Sequence, residues 1–151
     1  MKKYLVDTDT CIYIIKKRPR WVFEKFQTLS IGQVCISSVT LAELEYGVKK
    51  SQAQDKNKQA LEEFILPLFI MPFDKEATSY YGEIRANLER RGTPIGPLDL
   101  MIAAHALSLN FVLVTNNVRE FARVDNLVIE NWADEKLEKI TEGLNAYHKK
   151  H

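Results

Sequence analysis

Apolar positions along the chain fall into two kinds of pattern. Short apolar runs at residues 4–6, 34–36, 70–73, 111–114 and 127–130 predict strands. Between them lie stretches in which apolar residues recur every three or four positions, the spacing of a helix face. Such stretches predict helices over 9–17 (Ile12, Ile15 and Lys16 at helical spacing, closed by Pro19), 20–29 (Val22, Phe23 and Phe26 inward) and 39–50 (Leu41, Leu44 and Val48 on one face). Residues 51–58, SQAQDKNK, carry no period and read as a turn or as the exposed start of the next helix, which is predicted over 60–68. The longest helix is predicted over 74–91, capped by Asp74 and stopped by Gly92. A rigid turn, GTPIGP, follows, and Pro97 suits the first turn of the next helix. That helix, 98–109, is apolar on nearly every side and should be buried. Strands alternating with helices predict an α/β fold with a mainly parallel sheet flanked by helices.

A last periodic stretch has Leu137, Ile140, Leu144 and Tyr147 at spacings of 3, 4 and 3. It predicts a C-terminal amphipathic helix that ends in a basic tail. The expected organisation is one domain over 1–132, with 133–151 packed on it or extending it.

Length and charge narrow the field. The chain has 151 residues, 46% of them hydrophobic, enough for a core without disulfides. A net charge of +1 means that a nucleic-acid partner would be held by local patches rather than by a strongly basic surface. Cys11 and Cys35 sit in apolar segments and read as buried thiols, with no metal-ligand spacing. The N-terminal MKKYLVD meets an acid too soon for a signal peptide, and no apolar run approaches a membrane span. A soluble, cytoplasmic protein is the expectation.

The acids are placed unevenly. Asp7 follows the first strand, Glu43 lies in the first half of the helix after the second, and Asp99 lies in the first turn of the most apolar helix. Glu120 comes shortly after the strand that ends at Thr115. Ligand sites of open parallel sheets form at the carboxyl ends of the strands, so these acids can converge there. Gathered carboxylates repel one another unless a cation compensates, and oxygen-only donors suit Mg²⁺ or Mn²⁺ rather than zinc. Such an ion activates water and stabilises a phosphodiester transition state, the chemistry of a metal-dependent nuclease. Each acid also has a plainer use. Asp7 can cap a helix, Glu43 and Glu120 can be surface acids, and Asp99 can complement a helix dipole.

The segments YLVDTDTCIYIIKKRP, ISSVTLAELEYGVKKS, RGTPIGPLDLMIAAHAL and LVTNNVREFARVDNLVIENW occur in that order between residue 3 and about residue 132. Together they resemble the successive blocks of the PIN-domain ribonucleases of the VapC toxin type. The resemblance implies a three-layer PIN-like fold and a Mg²⁺-dependent endoribonuclease, with Mn²⁺ able to substitute. It makes Asp7, Glu43 and Asp99 metal-site acids, with Thr115 and Asn116 as polar residues beside them. It further implies a VapB-type antitoxin that covers the active-site groove and alone contacts DNA, a homodimer within a larger toxin–antitoxin complex, and a tRNA substrate, initiator tRNA cut in the anticodon loop. Two positions depart from the pattern. Asp9 stands where the family often has Asn, and Asn117 stands where many members have Asp. The fourth acid is then Glu120, with Asn117 as the alternative, a neutral ligand or a supporting group.

Other residues have competing uses. Lys16, Lys17 and Arg18 form a basic run suited to RNA phosphates or to a solvated face. His105, six residues past Asp99, points elsewhere on the helix and reads as a core or interface histidine. Two further readings compete with the nuclease. Asp7-Thr8-Asp9 after a strand resembles the opening of haloacid-dehalogenase-like phosphatases, although the late strand is followed by Thr115-Asn116-Asn117 and no acid pair. The other is an inactive PIN-like binding module.

Overall fold

The computed structural model describes residues 1–134 together with Ala146, Tyr147 and Lys149. Five strands form one sheet: β1 (Tyr4–Val6), β2 (Val34–Ser37), β3 (Phe69–Met71), β4 (Val112–Val114) and β5 (Ile129–Glu130). Their spatial order is β3-β2-β1-β4-β5, and every pairing is parallel. Tyr4 pairs with Val34 on one side and Val112 on the other, which puts β1 at the centre.

The strands read as unbroken apolar runs because both faces are covered. Tyr4, Val6, Val34, Ile36, Val112 and Val114 pack into one core, with α1 (Thr8–Lys16), α2 (Arg20–Gln27), α3 (Ser38–Lys50) and α4 (Gln54–Ile65). Leu5, Cys35 and Leu113, one position out of phase, face the other core with α5 (Lys75–Arg90), α6 (Pro97–Leu109) and the four-residue α7 (Val118–Phe121). Helices, sheet and helices make three layers, as expected. Both cysteines are free and buried.

Several boundaries follow from local chemistry. Asp74 caps α5 by accepting from Ala77 N–H, and Pro97 occupies the first turn of α6, both as anticipated. Gly92, at φ +70°, takes the left-handed position after α5 that favours glycine. α6 buries six of its residues, Leu100 and the run from Ile102 to Ala106, because it is wedged between α5 and the sheet. The fourth helix spans Gln54–Ile65, so most of the 51–58 stretch is its exposed start, the second of the two readings; these first turns are solvated and carry no apolar signal. β3 starts one residue earlier than the pattern indicates and stops before Pro72, which has no N–H to donate to a ladder. α7 was not anticipated. The amphipathic helix expected near the C-terminus lies outside the described residues, apart from Asp134, Ala146 and Tyr147. Among the described residues no helix is long and apolar enough to cross a membrane.

Candidate active site

The chain leaves β1 toward β2 on one side of the sheet and leaves β4 toward β5 on the other. The carboxyl ends of β1 and β4 therefore flank the point where strand order reverses, the place where open α/β sheets bind ligands. Asp7 immediately follows β1, and Thr115 immediately follows β4.

Asp7 does two things at once. Its backbone N–H donates to Val114 O at 3.0 Å, and one carboxylate oxygen caps α1 by accepting from Thr10 N–H at 2.9 Å. The same carboxyl lines a small cavity of about 80 Å³ with Thr8, Asp9, Glu43, Asp99 and Ile102. Helix capping and a place in the site are thus compatible. Burial pushes the Asp7 carboxyl above its ordinary value, while the Thr115 hydroxyl and the Thr10 N–H and hydroxyl pull it back.

Asp99 enters the cavity from the first turn of α6, at the positive end of a long helix. Its pKa is nevertheless raised to about 6, by burial first and then by Glu120, Asp7, Glu43 and Asp9. The repulsion shows that all five carboxylates share one field. Glu43 comes from α3, and its Oε1 accepts from the Thr8 hydroxyl at 3.1 Å. Glu120, on α7, is held by two donors: Gly96 N–H to Oε1 at 3.1 Å and the Asn117 amide to Oε2 at 2.6 Å.

Two residues here escaped the sequence reading. In the sequence Asp9 stands out as a departure from the family pattern and in the phosphatase reading, not as a nuclease site acid, yet it lines the cavity and raises Asp99. Thr8 positions Glu43. The available signal was spacing, because a cap residue and the first turn after it share one helix end. Of the supporting residues, Thr115 is fully buried; its hydroxyl bonds Asp7 and accepts from Asn117 N–H at 3.0 Å. Asn116 turns away and donates to the Tyr13 hydroxyl at 2.9 Å. Lys16, Lys17 and Arg18 lie at the far end of α1, ~13 Å along its axis from the Asp7 end. Their side chains are exposed, with Lys17 Nζ 5.1 Å from the centre of the Phe23 ring. His105 is 1% exposed and bonded to Ser37 Oγ at 2.8 Å, so it is a core histidine.

The donor set fits a hard divalent cation. It offers oxygen donors only, four carboxylates and the Thr8 hydroxyl, on a polar cavity where the acids already repel one another. As they stand, no three Asp, Glu, His or Cys side chains among the described residues are grouped tightly enough to hold an ion. The strain has a pH signature. Because the folded-state pKa of Asp99 lies above its unfolded value, metal-free protein should lose stability as pH rises from about 4 to about 6 through this group. Thermal melts across that range should show the loss, and Asp99→Asn should flatten it.

The parallel sheet and the carboxylate cavity at its switch point define a nuclease of the PIN class. The PIN domain family matches residues 4–127, and the chain belongs to that family. Within it, the chain groups with the VapC-type ribonucleases of toxin–antitoxin systems. It is 48% identical to the tRNA(fMet)-specific endonuclease VapC of Salmonella typhimurium, over 87% of this chain and 99% of that protein. It is 45% identical to ribonuclease VapC2 of Rickettsia felis, over 85% and 97%. The solved structure of DNA-bound VapBC from Salmonella typhimurium superposes with a TM-score of 0.83 at 47% identity, covering 88% of this chain and all of that one. The chain is therefore an endoribonuclease, of a family that generally uses divalent metal ions. The phosphatase alternative is excluded.

Proposed function

We propose that this chain is a Mg²⁺-dependent toxin that cleaves tRNA, initiator tRNA in its anticodon loop, with Asp7, Glu43, Asp99 and Glu120 as its metal-site acids. The carrying observation is that Asp7, Glu43 and Asp99, from three separate elements, line one cavity at the switch point. Glu120 is preferred over Asn117 as the fourth acid because it alone adds charge, and the Asn117 amide serves by orienting it. The same acids argue against an inactive module, since a pure binding surface gains nothing from carboxylates that repel one another.

A bound divalent ion supplies water activation and charge compensation for the phosphodiester transition state. The chain's own groups prepare the place. Thr10 N–H and the Thr115 hydroxyl fix Asp7, the Thr8 hydroxyl fixes Glu43, and Gly96 N–H and Asn117 fix Glu120. Lys16, Lys17 and Arg18, set back from the acids, contact flanking phosphates without neutralising the carboxylates.

The similarity of the chain to VapC proteins solved with their VapB partners supports a VapB-type antitoxin as partner, and the family resemblance implies that DNA is contacted only through that antitoxin. The resemblance to the VapC type further implies a homodimer inside that complex. An open apolar groove lined by Val39, Ala42, Tyr46, Leu98 and Met101 adjoins Glu43 and offers partner contacts beside the site. The PIN domain is assigned to residues 1–132; the 133–151 segment, expected to pack on it or to extend it, lies largely outside the described residues.

The test is to incubate purified protein with total cellular RNA and Mg²⁺ and map the new ends. Cleavage confined to initiator tRNA, lost in EDTA, restored by Mg²⁺ or Mn²⁺ and blocked by the antitoxin is expected. Cleavage that persists in excess chelator overturns the metal reading, and cuts outside tRNA overturn the substrate.

A further inference from the structure

α6 is apolar on nearly every side, yet at its centre it buries one ionisable side chain, His105, at 1% exposure. Burying a polar ring in such a helix is costly unless it is bonded. Its Nδ1 lies 2.8 Å from the Ser37 hydroxyl, which is itself completely buried. Burial holds the imidazole pKa below its ordinary value, so the ring is neutral at physiological pH. The Ser37 hydroxyl also accepts from Val39 N–H at 3.1 Å, and so caps α3. It therefore has a proton to donate to the imidazole. Next to it, the Ser38 hydroxyl accepts from Phe73 N–H at 3.0 Å, and the Phe73 ring meets His105 edge-on at 5.5 Å. The start of α3, the exit of β3 and the middle of α6 thus meet in one buried knot.

The two helices joined there carry two of the acids. Glu43 stands on α3, six residues after Ser37, and Asp99 stands on α6, six residues before His105. Toward the site the helices are separated by the open groove between Val39, Ala42 and Tyr46 on one side and Leu98 and Met101 on the other. Among the described residues, His105–Ser37 is the one side-chain hydrogen bond between the β2–α3 corner and α6. Packing alone leaves helices free to slide by small amounts, whereas a directional bond between buried groups fixes one register.

We propose that His105 is a positioning residue: through its hydrogen bond to Ser37 it sets α3 against α6, and thereby Glu43 against Asp99, at the spacing a divalent cation requires. It touches neither cation nor RNA and takes no part in proton transfer. The proposal rests on the assignment of Glu43 and Asp99 to the metal site.

The experiment measures Mn²⁺ binding by calorimetry, without RNA, on full-length variants whose melting curves show cooperative folding. His105→Leu keeps the volume and removes the bond; it should weaken Mn²⁺ binding about tenfold, at the lower end of what loss of outer-shell partners costs a metal site. His105→Asn returns an acceptor near Nδ1 and should recover most of the affinity. Ser37→Ala should weaken binding similarly, and the His105→Leu/Ser37→Ala double variant should be no weaker than the worse single one. Leu61→Ala, in the core on the opposite face of the sheet, should lower the melting temperature and leave Mn²⁺ affinity unchanged. If His105→Leu lowers the melting temperature but binds Mn²⁺ like wild type, the histidine is merely structural and the proposal falls. Should Asp99→Asn and Glu43→Gln also bind Mn²⁺ like wild type, the site assignment itself fails, not this link alone.

Discussion

Asp99→Asn is expected to reduce RNA cleavage by at least about 100-fold while making the metal-free protein more stable. The first effect follows because outer-shell partners of metal sites already contribute up to ~100-fold, and Asp99 is placed to face the ion directly. The second follows from the field at this position. Asp99 is pushed up to about 6 by burial and by Glu120, Asp7, Glu43 and Asp9, so a neutral amide relieves repulsion that the folded state otherwise carries. Opposite signs in activity and stability separate loss of a site charge from loss of fold. Asp7→Asn should share the loss of activity, with a smaller gain in stability, because the carboxylate of Asp7 also caps α1 and bonds Thr115. Initial rates on tRNA, with melts of the same samples in EDTA, check both. Full cleavage by Asp99→Asn would show that the cavity is not the catalytic site.

Phe121→Ala is expected to cost about 3–5 kcal/mol, among the largest losses any single substitution here should produce. Phe121 is 1% exposed and is the one buried side chain of α7. A four-residue helix has almost no stability of its own, so its place depends on that ring. At 2–4 °C per kcal/mol for a domain of this size, the melting temperature should fall by roughly 10 °C. Activity should fall as well, even well below the melting point, because Glu120 stands next to Phe121 and reaches Gly96 N–H only while α7 is anchored. Phe121→Leu should retain most of both. A variant with wild-type melting and wild-type turnover would show that α7 is held by something else.

How far the sequence carried depends on the length of each signal. β1 and α6 were legible because Tyr4-Leu5-Val6 and the long apolar stretch after Pro97 are extreme patterns. From them the positions of Asp7 and Asp99 followed directly. Strand order was not legible, since nothing in a three-residue strand says which neighbours it takes; the pairing of β1 with β4 arises from packing of whole layers. α7 escaped because four residues barely exceed one helical turn and cannot show a period. The start of α4 stayed open between a turn and an exposed helix start because its first residues are solvated. The role of Asp9 was hidden for a different reason. Its importance lies in which other acids share the cavity, and that is a property of the folded chain.

The central place of β1 has a consequence for the cell that makes this chain. Tyr4, Leu5 and Val6 leave the ribosome long before their partners in β4, residues 112–114, and Glu120 comes later still. A fragment that stops short of β4 lacks the strand that pairs with β1 next to Asp7. A polypeptide broken off before β4 should therefore not cleave RNA. Cleavage should become possible only after Glu120 on α7 has joined the chain.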